Sequence, residues 1–460
     1  MRNLKKYMYA ALPIAGILFY LLYLHTAAID MVYSDYIRLI NSYLPDVWDP
    51  KKFFVPDLLT RIPVNFLERA VNVLLFGYSV TFDRVMGVLG FGLSALVLGC
   101  YCKKQQISMG WYAVIMAVMF SLNKWEMLYN GTGWAHFLAF ACFYYNYYIL
   151  DRLYANNYRT SETGRRDTAK LFILPAVITI GIAGPYCAIY SMTLILAYLF
   201  IYVRNRIFSG KQTILLLAAV IWPLLLYLWS NSQAVYEYSG AVEGSMIGSF
   251  LKEPVFFLKF FLKSFTSMVF GVELINRHMA GVPGKVWCLL GLLVLASYFV
   301  ALWMNFYYGI AKKTILPLMF LAGGGMNHLM VLVSRWIFMP NDAYGMSSRY
   351  ALQYQLGVLG ILMTFALVRK ETEKKKTRVR ALSAAIAAVF LVGNLVTTAE
   401  EFSFGKYRKS HNMEVREILL DFENETDETL KSVLEYHKPG TREALMILKE
   451  NGWNIFREQK

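Results

Sequence analysis

Apolar runs alternate with short polar segments along almost the whole chain. The runs at residues 7–24, 80–103, 111–122, 137–150, 171–183, 188–203, 213–229, 286–307, 316–339, 351–368 and 381–398 mostly approach the roughly 20 residues that a helix needs to cross a hydrocarbon core. This pattern predicts an all-α polytopic membrane protein, a helical bundle of about eleven transmembrane helices. The stretch FLKEPVFFLKFFLKSFTSMVF, 250–270, is apolar enough to cross. However, Lys252, Lys259 and Lys263 make it amphipathic, so it is expected to lie in the interface or to re-enter.

Two polar segments carry helical periodicity of their own. In the first long loop, DYIRLINSYL sets Tyr36, Leu39, Ile40 and Tyr43 on one face, as expected of a helix lying flat at the membrane surface. After the last run, Val415, Leu419, Leu420 and Phe422, then Leu445, Leu448, Trp453 and Phe456, predict a small helical cap over 400–460. The bundle proper is expected to occupy 1–399, with external loops at 25–79, 123–136, 230–285 and 338–350.

Basic residues decide the sidedness. Arg2, Lys5 and Lys6 precede the first run, and further clusters fall at 103–104, 152–170, 204–206, 312–313 and 369–380. Cytoplasmic loops carry the excess of Lys and Arg. The chain is therefore expected to start in the cytoplasm, to keep its first run as a span, and to end outside. The net charge of +15 is accounted for by these clusters, which argues against a nucleic-acid partner. Hydrophobic residues make up 57% of the 460 and charged residues only 17%, a balance that excludes an ordinary soluble domain. Five cysteines lie in or beside apolar runs and read as packed thiols.

The external loops collect the chemistry. Asp30 and Asp35 stand within about three turns of the end of the first run, and carboxylates so close to a membrane face need water, a cation or a ligand. Both are candidate catalytic groups, and either could hold a divalent cation, Mg2+ or Mn2+. Each also has a plain alternative as a helix cap. Arg349, Lys124 and Arg61 are candidate phosphate ligands. Trp125, Tyr350, Glu126 and His136 are candidates for a sugar site, with membrane anchoring or packing as the alternative. No P-loop, nucleotide-binding glycine fingerprint, zinc motif or serine elbow is present. The glycine run 323–325 reads as close helix packing.

A first span followed by an external acidic loop with an interfacial helix, and then many spans, is similar to the GT-C superfamily of integral-membrane glycosyltransferases. The stretches LPDVWDPKKFFVPDLLTRIPVNF, FSLNKWEMLYNGTGWAHFLA, SSRYALQYQLGVLGIL and LKSVLEYHKPGTREALMILKENGWNIF also resemble a set of poorly characterised bacterial polytopic membrane proteins, in which Arg61 matches a recurrent arginine. The resemblance implies a GT-C-like bundle in a bacterial cytoplasmic membrane. It further implies transfer of a sugar from a polyprenyl-phosphate donor to a cell-envelope acceptor such as a polysaccharide, with Asp30 or Asp35 as the carboxylate. Two alternatives stand beside this reading: a flippase or exporter of a lipid-linked glycan, and a non-catalytic envelope-assembly protein.

Overall fold

The computed structural model describes residues 2–54, 63–156, 161–204, 207–232, 241–371 and 377–459, and contains helices and no strand among them. Eight helical stretches are long and apolar enough to cross a membrane: Tyr7–Ala27, Val80–Lys104, Gly184–Val203, Gly210–Asn231, Gly284–Tyr307, Leu316–Phe338, Ser348–Lys370 and Thr377–Leu420. Each coincides with one of the expected crossings. The other three differ in kind. Met109–Met119 has 11 residues, about 16 Å of helix. Trp134–Asn156 and Glu162–Gly181 have 23 and 20 residues but are more polar.

Loop contacts sort into two ends of the bundle. At one, Lys370 Nζ reaches Gln105 O at 3.1 Å, Tyr9 OH reaches Ile107 O at 2.8 Å and Tyr154 OH reaches Ala311 O at 2.7 Å. Asp151 Oδ1 there accepts from the backbone N–H groups of Ile315 and Leu316, satisfying donors that the next helix cannot pair itself. This end gathers the basic loops. At the other, Leu122 N donates to Thr398 Oγ1, Asn123 Nδ2 to Ser267 O, and Ser34 N to Leu434 O at 2.7 Å. Glycines let the central helices touch: a Cβ on Gly324 would lie 2.2 Å from Gly357 N, which is the close packing expected of the glycine run.

The segment 250–270 forms no single helix long enough to be a crossing. It divides at Glu253 and Pro254 into helices Met246–Lys252 and Pro254–Thr266, because proline supplies no N–H to continue the first helix and is preorganised to start the second. The second helix buries Phe256, Phe257, Phe260 and Phe265, while Lys263 pairs with Asp342 at 2.5 Å.

The cap end is built around helix Asp35–Tyr43, with Tyr36, Ile37, Leu39, Ile40 and Tyr43 buried. Tyr36 OH donates to Asp83 Oδ2 at 2.6 Å, and Asn72 Nδ2 to Asp83 Oδ1 at 2.6 Å. Ile37 and Ile40 share a core with Leu419, Phe422, Leu430, Leu445, Leu448 and Phe456, so the tail docks on the first loop. The last span and the first helix of the tail are continuous. Thr377–Leu420 has 44 residues, about 66 Å, because EEFSFGKYRKSHNMEVREIL holds one glycine, Gly405, and no proline to interrupt it.

Candidate functional site

At the cap end the short helix Met109–Met119 stops early, and the chain continues through the turn Leu122–Lys124 into the five-residue helix Trp125–Tyr129. This connection is packed between spans. Gln355 Nε2, seven residues into the span Ser348–Lys370, donates to Val118 O at 2.7 Å. The segment bearing Glu126 therefore forms the floor of the cap-end surface.

Glu126 is held by the turn Ser348–Tyr350 that opens this span. Arg349 Nε donates to Glu126 Oε1, and Ser348 Oγ donates to Glu126 Oε2 at 3.0 Å. A carboxylate whose two oxygens take separate charged and hydroxyl donors has a fixed plane. About half of the Arg349 side chain stays accessible, against 19% for Glu126. Asp35, at the start of helix Asp35–Tyr43, whose apolar face is buried against the tail and not left for the membrane surface, lies within electrostatic reach of Arg349. Glu273, on helix Val272–His278, approaches Ser348 from a third side. Burial pushes its carboxyl up, and Glu401 and Glu126 push in the same direction. Glu126 and Glu273 thus converge on Ser348, with Arg349 bonded to Glu126 and Asp35 within electrostatic reach of that arginine.

Tyr350 points away from this cluster. It is buried beside Arg335, with Tyr344 and Tyr354 at 6.4 and 6.3 Å. Arg335 also faces Tyr186, whose ring meets His136 edge-on at 4.9 Å. Tyr350, Arg335, Tyr186 and His136 form an aromatic and cationic wall next to the carboxylate cluster.

The remaining expected residues lie elsewhere. Lys124 is fully buried. Its ammonium donates to Met119 O at 2.8 Å, Ser121 O at 3.0 Å and Tyr20 OH at 3.2 Å, and burial lowers its pKa to about 7. It fastens the floor from beneath. Trp125 stacks under Arg408, 3.6 Å from ring centroid to guanidinium carbon. Asp30 is exposed and accepts from Thr81 N at 3.0 Å, in the first turn of the Val80–Lys104 helix, whose N-cap is Ser79. Arg61 lies outside the described residues. No three His, Cys, Asp or Glu side chains among the described residues gather closely enough to hold a metal ion.

Sequence reasoning passed over Glu273, Arg335, Tyr186 and Arg84. Arg84 was legible as a guanidinium in the first turn of an apolar run. It is 3% exposed, donating through Nε to Tyr129 O and through NH1 to Ile29 O, both at 2.6 Å. No family model, curated protein or solved structure matches the chain.

Proposed function

We propose that the chain is a membrane glycosyltransferase that moves a sugar from a polyprenyl-phosphate donor to a cell-envelope acceptor at the cap end. The observation that carries this reading is the Arg349–Glu126 pair beside Asp35. Glu126 fixes the guanidinium by one edge, and the accessible remainder suits a phosphate, whose oxygens match the guanidinium fork. Asp35 is the carboxylate positioned to take the acceptor's proton. The Tyr350, Tyr186 and His136 wall offers rings against which a sugar can lie.

In the proposed step the acceptor hydroxyl oxygen attacks the anomeric carbon and forms the new C–O bond. The bond from that carbon to the donor phosphate oxygen breaks, and polyprenyl phosphate leaves with the electron pair. The acceptor proton passes to Asp35. Arg349 steadies the charge that develops on the leaving phosphate, where a preorganised donor acts most strongly.

The reading takes the bundle as eleven crossings in a bacterial cytoplasmic membrane, with the basic end inside and the cap outside. The separation of loop contacts into a basic end and a cap end supports that arrangement. The test uses the purified chain in detergent with a panel of polyprenyl-phosphate sugars and acceptor glycans, in Mg2+ or Mn2+. Mass spectrometry follows loss of sugar from the lipid. Turnover that disappears in Asp35→Asn is the expected result; donor left intact across the panel by the wild-type chain overturns the proposal.

A further inference from the structure

A largely apolar pocket with three charged side chains in its lining opens where the first two spans reach the cap end. It has a volume of about 230 Å³ and lies between the last turns of helix Arg2–Ala27, the first turns of Val80–Lys104 and the long C-terminal helix. Leu21, Leu24 and Val85 form its apolar wall, and Asp30, Arg84 and Lys409 line it with charge. Leu18, Leu22 and Leu89 continue the apolar surface along the outside of the same two helices.

The three charges do not neutralise one another. Asp30 accepts from a backbone N–H, Lys409 Nζ donates to His25 O at 2.9 Å, and Arg84 donates to the carbonyls of Tyr129 and Ile29. A guanidinium only 3% exposed without a carboxylate partner is costly to keep, and an anion on its open edge would relieve that cost. Lys409 has further N–H donors to offer the same anion, and Asp30 has a second oxygen to offer a cation. The pocket sits at headgroup depth because both spans end there.

We infer that this pocket holds the headgroup of an aminophospholipid from the surrounding leaflet, its phosphate between Arg84 and Lys409 and its ammonium at Asp30. The acyl chains then follow Leu21, Leu24 and Val85 onto the outer face of the two spans. The occupant is a membrane lipid, separate from the proposed donor, and the inference stands whether or not the chain transfers sugar. Arg84 links the two places, since its guanidinium carbon also lies 4.9 Å from the centroid of the Tyr129 ring.

The test is native mass spectrometry of the full-length chain in detergent, titrated with phosphatidylethanolamine, phosphatidylglycerol or inorganic phosphate. Phosphatidylethanolamine should bind about tenfold tighter than phosphatidylglycerol. Lys409→Gln and the pocket-filling Leu21→Trp should each weaken it by a similar factor. Asp30→Asn keeps the oxygen that accepts from Thr81 and should erase the preference between the two lipids. Gel filtration and circular dichroism establish which variants fold, and three differently placed substitutions keep the test intact if one does not. Equal binding of the two lipids by the wild-type chain overturns the inference, as does phosphatidylethanolamine binding unchanged in the folded variants. Displacement of both lipids alike by low-millimolar phosphate, with no preference between them, marks a simple anion site and also overturns it.

Discussion

Arg408 lies flat over Trp125, with 3.6 Å between its guanidinium carbon and the ring centroid. The same guanidinium donates through NH2 to the fully buried Glu401 at 2.6 Å and through NH1 to Tyr23 OH at 3.2 Å. One arginine of the helix Thr377–Leu420 therefore braces the first span and the segment that carries Glu126. Arg408→Ala should lower stability by about 3 kcal/mol, the low end for a broken buried pair, because Arg277 remains 3.4 Å from Glu401. Arg408→Ala combined with Glu401→Gln should recover part of that loss. Thermal unfolding in detergent measures both.

Arg349→Ala should reduce turnover about 100-fold, the usual effect of removing one donor that stabilises developing charge. Arg349→Lys keeps the charge and loses the fork, so it should be intermediate. Glu126→Gln should resemble Arg349→Lys, since the guanidinium would keep its place near Asp35 with a weaker anchor. Single-turnover sugar transfer for the three variants checks the ordering.

Lys124 gives a pH signature. Its folded pKa is about 7, and its unfolded value is about 10.4. Between these values the unfolded chain binds the proton that the folded chain has released, so stability from this residue rises with pH over that window. Below pH 7 the burial penalty is present in full. The wild-type melting temperature should therefore climb between pH 7 and pH 9 relative to Lys124→Met, whose own curve lacks this contribution. Parallel melting curves would contradict the assignment.

Asn454 pins the cap. Its Oδ1 accepts from Val32 N at 3.1 Å, its Nδ2 donates to Tyr78 O at 3.0 Å, and its own N–H reaches Gly77 O at 2.9 Å. Its backbone φ of 53° suits asparagine better than most side chains. Asn454→Leu should cost ~2 kcal/mol or more, from buried polar groups left unpaired, and should speed proteolytic release of a C-terminal fragment under native conditions.

The regular parts of the fold were legible because their periodicity is strong. The span Val80–Lys104, the helix Asp35–Tyr43 and the two apolar stripes of the tail follow from spacing alone; that the apolar face of Asp35–Tyr43 meets the tail core, where the sequence suggested the membrane surface, does not. Continuity of the last helix was also written in the chain, since nothing between Thr398 and Leu420 breaks a helix apart from the isolated Gly405. The fate of Lys124 was not. A lysine beside Trp125 at the end of an apolar run reads as a surface anchor, and only the early stop of Met109–Met119 turns it inward. Asp30 and Glu126 illustrate the same limit. Both are acidic residues beside the end of an apolar run, and only their long-range partners, Thr81 for one and Arg349 for the other, tell them apart. Glu273 gave no local signal at all, because its neighbours arrive from residues 126, 348 and 401.

The 44-residue helix has a mechanical meaning beyond joining two regions. Its middle packs on the end of the first span through Arg408 and Tyr23, and Val415 and Leu419 enter the cap core, so one unbroken rod joins bundle and cap. The cap at its top also grips the loop that presents Asp35. Any tilt of this helix within the bundle is therefore carried into the cap, and from the cap core into the Asp35–Tyr43 helix, so the rod acts as a lever between bundle and loop.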